Sequence, residues 1–176
     1  MSQWFMLTLV GQDQPGIVAK ITTTLYTAGC NLGEASMLRL GGNFTIMLMV
    51  HHPNYSFNIS ELIKPTAEEL QLHFHFDPIE GQLHDHQSAE IRISVHGADR
   101  AGIVAQVTTV LAEIGFNILN LESDVGGNQQ HPFYIMHIEG TTIQGIETIK
   151  RVLNQLISTR LPDLYVQVEP IDTSIM

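Results

Sequence analysis

A nine-residue stretch occurs twice in this chain, and the repeat limits what the chain can become. Gly11-Gln12-Asp13-Gln14-Pro15-Gly16-Ile17-Val18-Ala19 returns 86 residues later as Gly97-Ala98-Asp99-Arg100-Ala101-Gly102-Ile103-Val104-Ala105. The offset holds without a gap to the next landmark, where Gly29-Cys30-Asn31-Leu32 falls on Gly115-Phe116-Asn117-Ile118. Between Gly11 and Leu32, 11 of 22 aligned positions are identical. A period near half the chain length means two copies of one domain, not a solenoid of short repeats. With 176 residues, each copy has roughly 80–90, a size that still buries a core.

The residue types around the repeat give its local structure. Trp4 to Val10 is apolar and β-prone, so it reads as a strand. Gly11 ends it and lets the chain turn. Asp13 is placed to accept backbone N–H bonds where a helix begins, and Pro15 suits a first helical turn. Ile17, Ile21, Leu25 and Ala28 then recur at helical spacing, and Gly29 is placed to close the helix left-handed. The second copy repeats this with Ile103, Val107, Leu111, Ile114 and Gly115. The spacing predicts helices over 15–28 and 101–114. The open N–H groups at such helix starts can hold a carboxylate or another anion.

The rest of each copy completes the order. Asn31–Leu40 and Phe44–Val50 form a hairpin through Gly41-Gly42-Asn43. A helix follows from about Asn58 to Leu72, with Pro65 either kinking it or delaying its start, and Leu72–Asp77 is a last strand. In the second copy Glu90–Gly97 is the first strand. Asn117–Val125 and Phe133–Glu139 pair through a turn at Gly126-Gly127-Asn128. Ile146, Ile149, Leu153, Leu156 and Ile157 mark a helix, and Leu164, Val166 and Val168 alternate in a final strand. The order is β-α-β-β-α-β twice, an α+β class of two ferredoxin-like domains in tandem. The predicted boundaries are 1–77, a linker 78–88 rich in Pro, Gly and Gln, a second domain 89–170, and a tail 171–176. In the first domain both faces of Trp4–Val10 and Phe44–Val50 are largely apolar. The face carrying Trp4, Met6, Met47 and Met49 is expected to be covered, by the second domain or by another chain.

Charge and composition narrow the function. Eight basic against 18 acidic residues give 8 − 18 = −10. DNA phosphates repel such a chain, so no direct nucleic-acid binding is expected. No apolar run reaches the roughly 20 residues of a membrane helix. No secretory signal is visible. The single cysteine, Cys30, fits a reducing cytoplasm and aligns with Phe116, a core position. The Met37, Met47 and Met49 cluster reads as core or interface filler. The histidine pairs His51-His52, His73-x-His75 and His84-x-His86 are read as polar side chains scattered over the surface, with His84-Asp85-His86 the pair best able to take a metal. His96 ends a strand beside the second loop, as a ligand contact or an exposed strand end. No catalytic triad, phosphate loop or dinucleotide fingerprint is present, and no cofactor is expected.

The Gly-x-Asp-x-Pro-Gly-Ile turn before the first helix, the Gly-x-Asn after it and the element order together resemble the ACT domain, a small-molecule sensing module. The resemblance covers both halves. A tandem pair without an enzyme domain is similar to the group that represses glycine cleavage genes. That likeness implies a non-enzymatic cytoplasmic regulator. It would respond to a small amino acid, glycine first. It would act through a protein partner, a transcriptional activator, and it allows a homo-oligomer. It also carries the ligand loop onto Asp13, Pro15, Gly16 and Ile17 and the ligand-facing asparagine onto Asn31. In the second copy these are Asp99, Gly102, Ile103 and Asn117. There Ala101 replaces the proline and Arg100 enters, a departure that leaves the second loop's competence open. The implied binding has the ligand carboxylate at the amides of Gly16 and Ile17 and its amino end at Asp13 and Asn31, where this loop meets a neighbouring domain. Helix capping by the two aspartates and self-capping turns by the two asparagines are the plain alternatives. Two other functions compete: a pure protein-interaction module, and a regulatory relative of formyltetrahydrofolate deformylase.

Overall fold

A computed structural model describes residues 3–54, 57–79, 87–128 and 131–171. The chain divides into two compact units, Met1–Asp85 and His86–Met176. In the first, β1 (Trp4–Gln12), α1 (Ile17–Thr27), β2 (Asn31–Leu40), β3 (Asn43–His51), α2 (Ile59–Glu69) and β4 (His73–Ile79) form one antiparallel sheet in the order β2-β3-β1-β4. In the second, β5 (Ile91–Ala98), α3 (Ile103–Glu113), β6 (Asn117–Asn128), β7 (His131–Thr141), α4 (Ile146–Arg160) and β8 (Leu164–Pro170) repeat that order as β6-β7-β5-β8. This is the β-α-β-β-α-β arrangement twice, as the repeat predicts.

Alternation fixes which face each sheet buries. Leu7 and Leu9 of β1 lie opposite Leu48 and Ile46 of β3, and all four are buried with Ile17, Ile21 and Leu25 of α1 and Ile59, Ile63 and Ala67 of α2. A one-residue slip would turn every one of these side chains to the other face, so the register is strongly specified. The second core uses Ile91, Ile93 and Val95 of β5 with Ile103, Val107 and Leu111 of α3 and Ile149, Leu153 and Leu156 of α4. Each fully buried Leu or Ile contributes about 1.5–3 kcal/mol relative to exposure.

Several expectations are corrected. The helices α1 and α3 begin at Ile17 and Ile103, two residues late, because Gly16 and Gly102 hold φ of 89° and 88° and cannot be helical. Helix α2 starts at Ile59, with the Asn58 side chain accepting from the Glu61 amide at 3.2 Å, and runs through Pro65, so the proline does not delay it. Gly126, Gly127 and Asn128 belong to β6, opposite Phe133, Pro132 and His131, rather than forming the turn. Glycines are tolerated at such an exposed hairpin end. Strand β4 continues through Pro78 and Ile79, which pair with Phe5 and Trp4, so the first two linker positions are strand. The remainder of the predicted linker up to His86, with His84-Asp85-His86, and the tail from 172 lie outside the described residues. On the open face of the first sheet Met49 is buried, but Met47 is exposed, as is Met37 on β2. Met37 and Met47 are therefore not core filler.

Gly11 does not end β1, which runs on to Gln12. A Cβ there would meet the Leu72 side chain at 2.6 Å and the Gln71 carbonyl at 3.1 Å. Gly97 holds the same place in the second unit, where a Cβ would lie 2.3 Å from the Asp163 carbonyl. The glycines permit the chain entering the last strand of each unit to cross closely. Gly97→Ala is therefore expected to destabilise the second unit by about 1–3 kcal/mol, read as a lower urea midpoint. Tyr134 occupies the place of Phe44, and its buried hydroxyl finds no hydrogen-bond partner among the described residues. Tyr134→Phe should leave stability unchanged or raise it by about 1 kcal/mol in the same assay.

Candidate functional site

Strand β1 hands the chain to α1 through Asp13, Gln14, Pro15 and Gly16. The left-handed Gly16 lets Ile17 drop into the core while the preceding residues stay at the surface. Gly16 serves as the N-cap with no side-chain hydrogen bond, and no acidic residue lies in the first turn of α1. Gly102 and α3 repeat both features. Nothing lies within 4 Å of a Cβ built on Gly16, so the glycine answers to its backbone angle rather than to crowding. Helix starts of this kind carry donor groups and the positive end of the helix dipole.

Asp13 is not the helix cap. Its carboxylate pairs with the Arg39 guanidinium at the end of β2, and its amide donates to the Gly42 carbonyl at 3.1 Å. The strand-to-helix loop is thus tied to the β2–β3 hairpin. Arg39 lies opposite Phe44, and the equivalent pair in the second unit is Val125 opposite Tyr134. The arginine has no counterpart there. Asp99 and Arg100 are both exposed and form no ion pair among the described residues. The two loops share backbone geometry but not electrostatics.

Asn31 lies far from Asp13. It pairs with His51 at the start of β2, level with the beginning of β1, whereas Asp13 follows the end of β1 beside Gly42. Along the strands that separation is on the order of 25 Å. A small ligand within one unit reaches Asp13 or Asn31 but not both. Asn117 sits at the matching end of its own unit, and its side-chain amide donates to the Gln87 side-chain Oε1 at 3.1 Å. It bonds across to another segment rather than capping its own turn. Gly16, Ile17 and Asp13 are brought together; so are Gly102, Ile103 and Asp99; the asparagines are not part of either group. Arg39 was not singled out from sequence, because only the sheet register brings it to Asp13.

The other candidates separate physically. His51 packs on Trp4, with ring centroids 5.3 Å apart. His73 and His75 share the open face of β4, and His75 lies 2.8 Å from the Asp77 carboxylate. His96 stacks on Tyr165 at 5.7 Å and leans on Phe133. Among the described residues no group of three or more His, Cys, Asp or Glu side chains is placed to hold a metal ion. In the first unit a shallow groove of about 780 Å³ runs between α1 and α2, lined by Gly16, Ala19, Lys20, Thr23, Thr27 and Leu62 among others. No helix among the described residues is long and apolar enough to cross a membrane. Cys30 is buried in the first core, and burial pushes its thiol pKa up. Less thiolate is then present at neutral pH. Native protein at pH 7 should react slowly with a thiol-specific reagent such as dithiobisnitrobenzoate, and the one thiol should be released fully once the protein is unfolded in guanidinium.

Comparison with known proteins follows the same division. Two family models, each described as an ACT domain, match residues 3–77 and 91–158. The chain is 25% identical over 142 residues to the glycine cleavage system transcriptional repressor of Escherichia coli strain K12, covering 78% of this chain and 73% of that one. Among solved structures, an unknown protein from Galdieria sulphuraria superposes with a TM-score of 0.75 at 22% identity, over 97% of this chain and 99% of its own. A second, described as a candidate glycine cleavage system transcriptional repressor, gives 0.68 at 20% identity over 97% and 98%. Both superpositions speak to the fold.

Proposed function

The chain belongs to the ACT domain family, and on that premise we propose that it is a regulatory protein that senses a small amino acid and passes the signal to a protein partner. The observation that carries the reading is the uncapped start of α1. Gly16 offers no side chain, the first turn has no acid of its own, and the loop carboxylate, Asp13, is held aside by Arg39. A ligand carboxylate fits the amides at Gly16 and Ile17, where helix-end donors and dipole favour an anion. Its ammonium group fits Asp13 in competition with Arg39. That pair is largely exposed on the arginine side, and such pairs are worth about 0–1 kcal/mol, so the exchange costs little. Asn31 and Asn117, at the far ends of their own sheets, lie outside this site. Glycine is the first ligand to try, because a homologue carries the glycine cleavage system in its name. The net charge of −10 argues for a protein partner rather than DNA. Ligand binding changes the partner's affinity only if the two states of the regulator bind ligand differently.

A second reading is an interaction module without a small ligand. The β2 edge favours it: over ten residues it has neither lysine nor proline, and Met37, Leu38 and Leu40 are exposed on it. Such an edge invites another strand, from a partner or from a second copy.

Thermal unfolding with each amino acid at millimolar concentration separates the two. A ligand at about 100 times its Kd stabilises by about 2.7 kcal/mol, and a clear upward Tm shift is expected with glycine or a near relative. Asp13→Ala should abolish that shift while changing the unliganded Tm little, since Asp13 caps no helix. A full response from the Asp13→Ala protein would remove Asp13 from the site. No shift with any amino acid would favour the interaction module.

A further inference from the structure

His52 joins two segments of the first unit, and its bonding depends on its charge. The ring lies at the end of β3. Its Nε2 is 3.1 Å from the Ala28 carbonyl, which closes α1. A carbonyl only accepts, so Nε2 carries a hydrogen. On the other side Nδ1 lies 3.1 Å from both the amide nitrogen and the carbonyl oxygen of Asn54. In the neutral ring Nδ1 bears no proton and accepts the Asn54 amide hydrogen. In the charged ring Nδ1 is a donor and meets that amide donor to donor, so its bond passes to the Asn54 carbonyl, which already lies within reach at 3.1 Å. That carbonyl already accepts from the Phe57 amide at 3.0 Å and has a second lone pair. The Phe57 ring stacks on His52 at 4.1 Å and keeps it in place through the change.

The second unit repeats one half of this arrangement without the proton. Thr141 pairs with Asn117 as His51 pairs with Asn31, so Thr142 stands where His52 stands. The Thr142 hydroxyl accepts from the Gln144 amide at 3.1 Å, the same two-residue span. A hydroxyl does not titrate near neutrality, whereas histidine ordinarily does. The titratable and charged residues on the surrounding elements are Lys20 and Tyr26 on α1, Glu61, Lys64, Glu68 and Glu69 on α2, Glu34 and Arg39 on β2 and His51 on β3. Lys20 pairs with Glu69, and no ion pair to His52 forms among the described residues. The last turn of α1 has no basic residue, so a charged His52 places a cation beside a helix end that favours one.

We propose that His52 is a proton-operated latch, confined to the first unit, between the end of α1 and the Asn54 backbone. The neutral ring grips both sides. The charged ring keeps its hold on α1 and exchanges the Asn54 amide for the Asn54 carbonyl, which leaves that amide without the ring as its acceptor. The latch is independent of the amino-acid reading and needs no ligand.

Nuclear magnetic resonance on the intact, ligand-free protein tests it. Above the ring's titration, ¹⁵N shifts should report the Nε2–H tautomer. As pH falls through that titration, the exchange protection factor of the Asn54 amide should drop several-fold while that of Gln144 stays level. In His52→Thr, which copies the second unit, Asn54 protection should become independent of pH. An Nδ1–H tautomer, an Asn54 amide indifferent to the titration, or a pH effect that persists in His52→Thr would each overturn the proposal. The tautomer is read on the unaltered protein, so it decides the matter even if the variant folds poorly.

Discussion

Everything in each unit follows from one reversal of the chain. A strand buried on one face must hand over to a helix that comes back across that same face, within a few residues. A single left-handed glycine accomplishes this in both units, with nearly identical angles at Gly16 and Gly102. Glycine adopts that conformation without the steric cost that a Cβ imposes on most other residues. Because the turn residue is a glycine, it has no side chain with which to cap the helix it begins. The requirement that forms the fold therefore leaves the first-turn donors without a side-chain acceptor.

The two units show how far a duplicated backbone can diverge in charge. Strand order, register and core positions correspond element by element. The polar groups do not. Asp13 is held by Arg39, while Asp99 has Val125 at the matching place. His52 bonds the peptide two residues on, and Thr142 does so with a hydroxyl. Core residues answer to packing density, which penalises almost any change of volume. Surface polar groups answer to weaker energies and are free to differ, so two domains of one shape carry different charges at matching places.

The β2 strand bears on assembly. Its neighbour β3 is buried along most of its length, but β2 itself is exposed on both sides. The helices cover the middle of the sheet and stop short of this edge. Apolar side chains left in that position favour association over isolation, which gives the acidic surface a second role in limiting indiscriminate contact.

From sequence alone, the repeat fixed the number of domains, and apolar spacing fixed the element order, the helix stripes and the buried strand faces. These are legible because helix and strand periods are local properties of the chain. The loop residues that could meet a ligand were legible too, since a strand, a Gly-Asp turn and a helix lie consecutively. Only the tertiary structure decided what those residues touch. That Asp13 meets Arg39, 26 positions away, that Asn31 lies at the far end of its sheet, that Gly11 and Gly97 make room for a crossing chain rather than turn their own, and that His52 reaches back to α1 all depend on strand order and register. Antiparallel pairing sets residues distant in sequence side by side and sends residues close in sequence to opposite ends, and no local pattern records which.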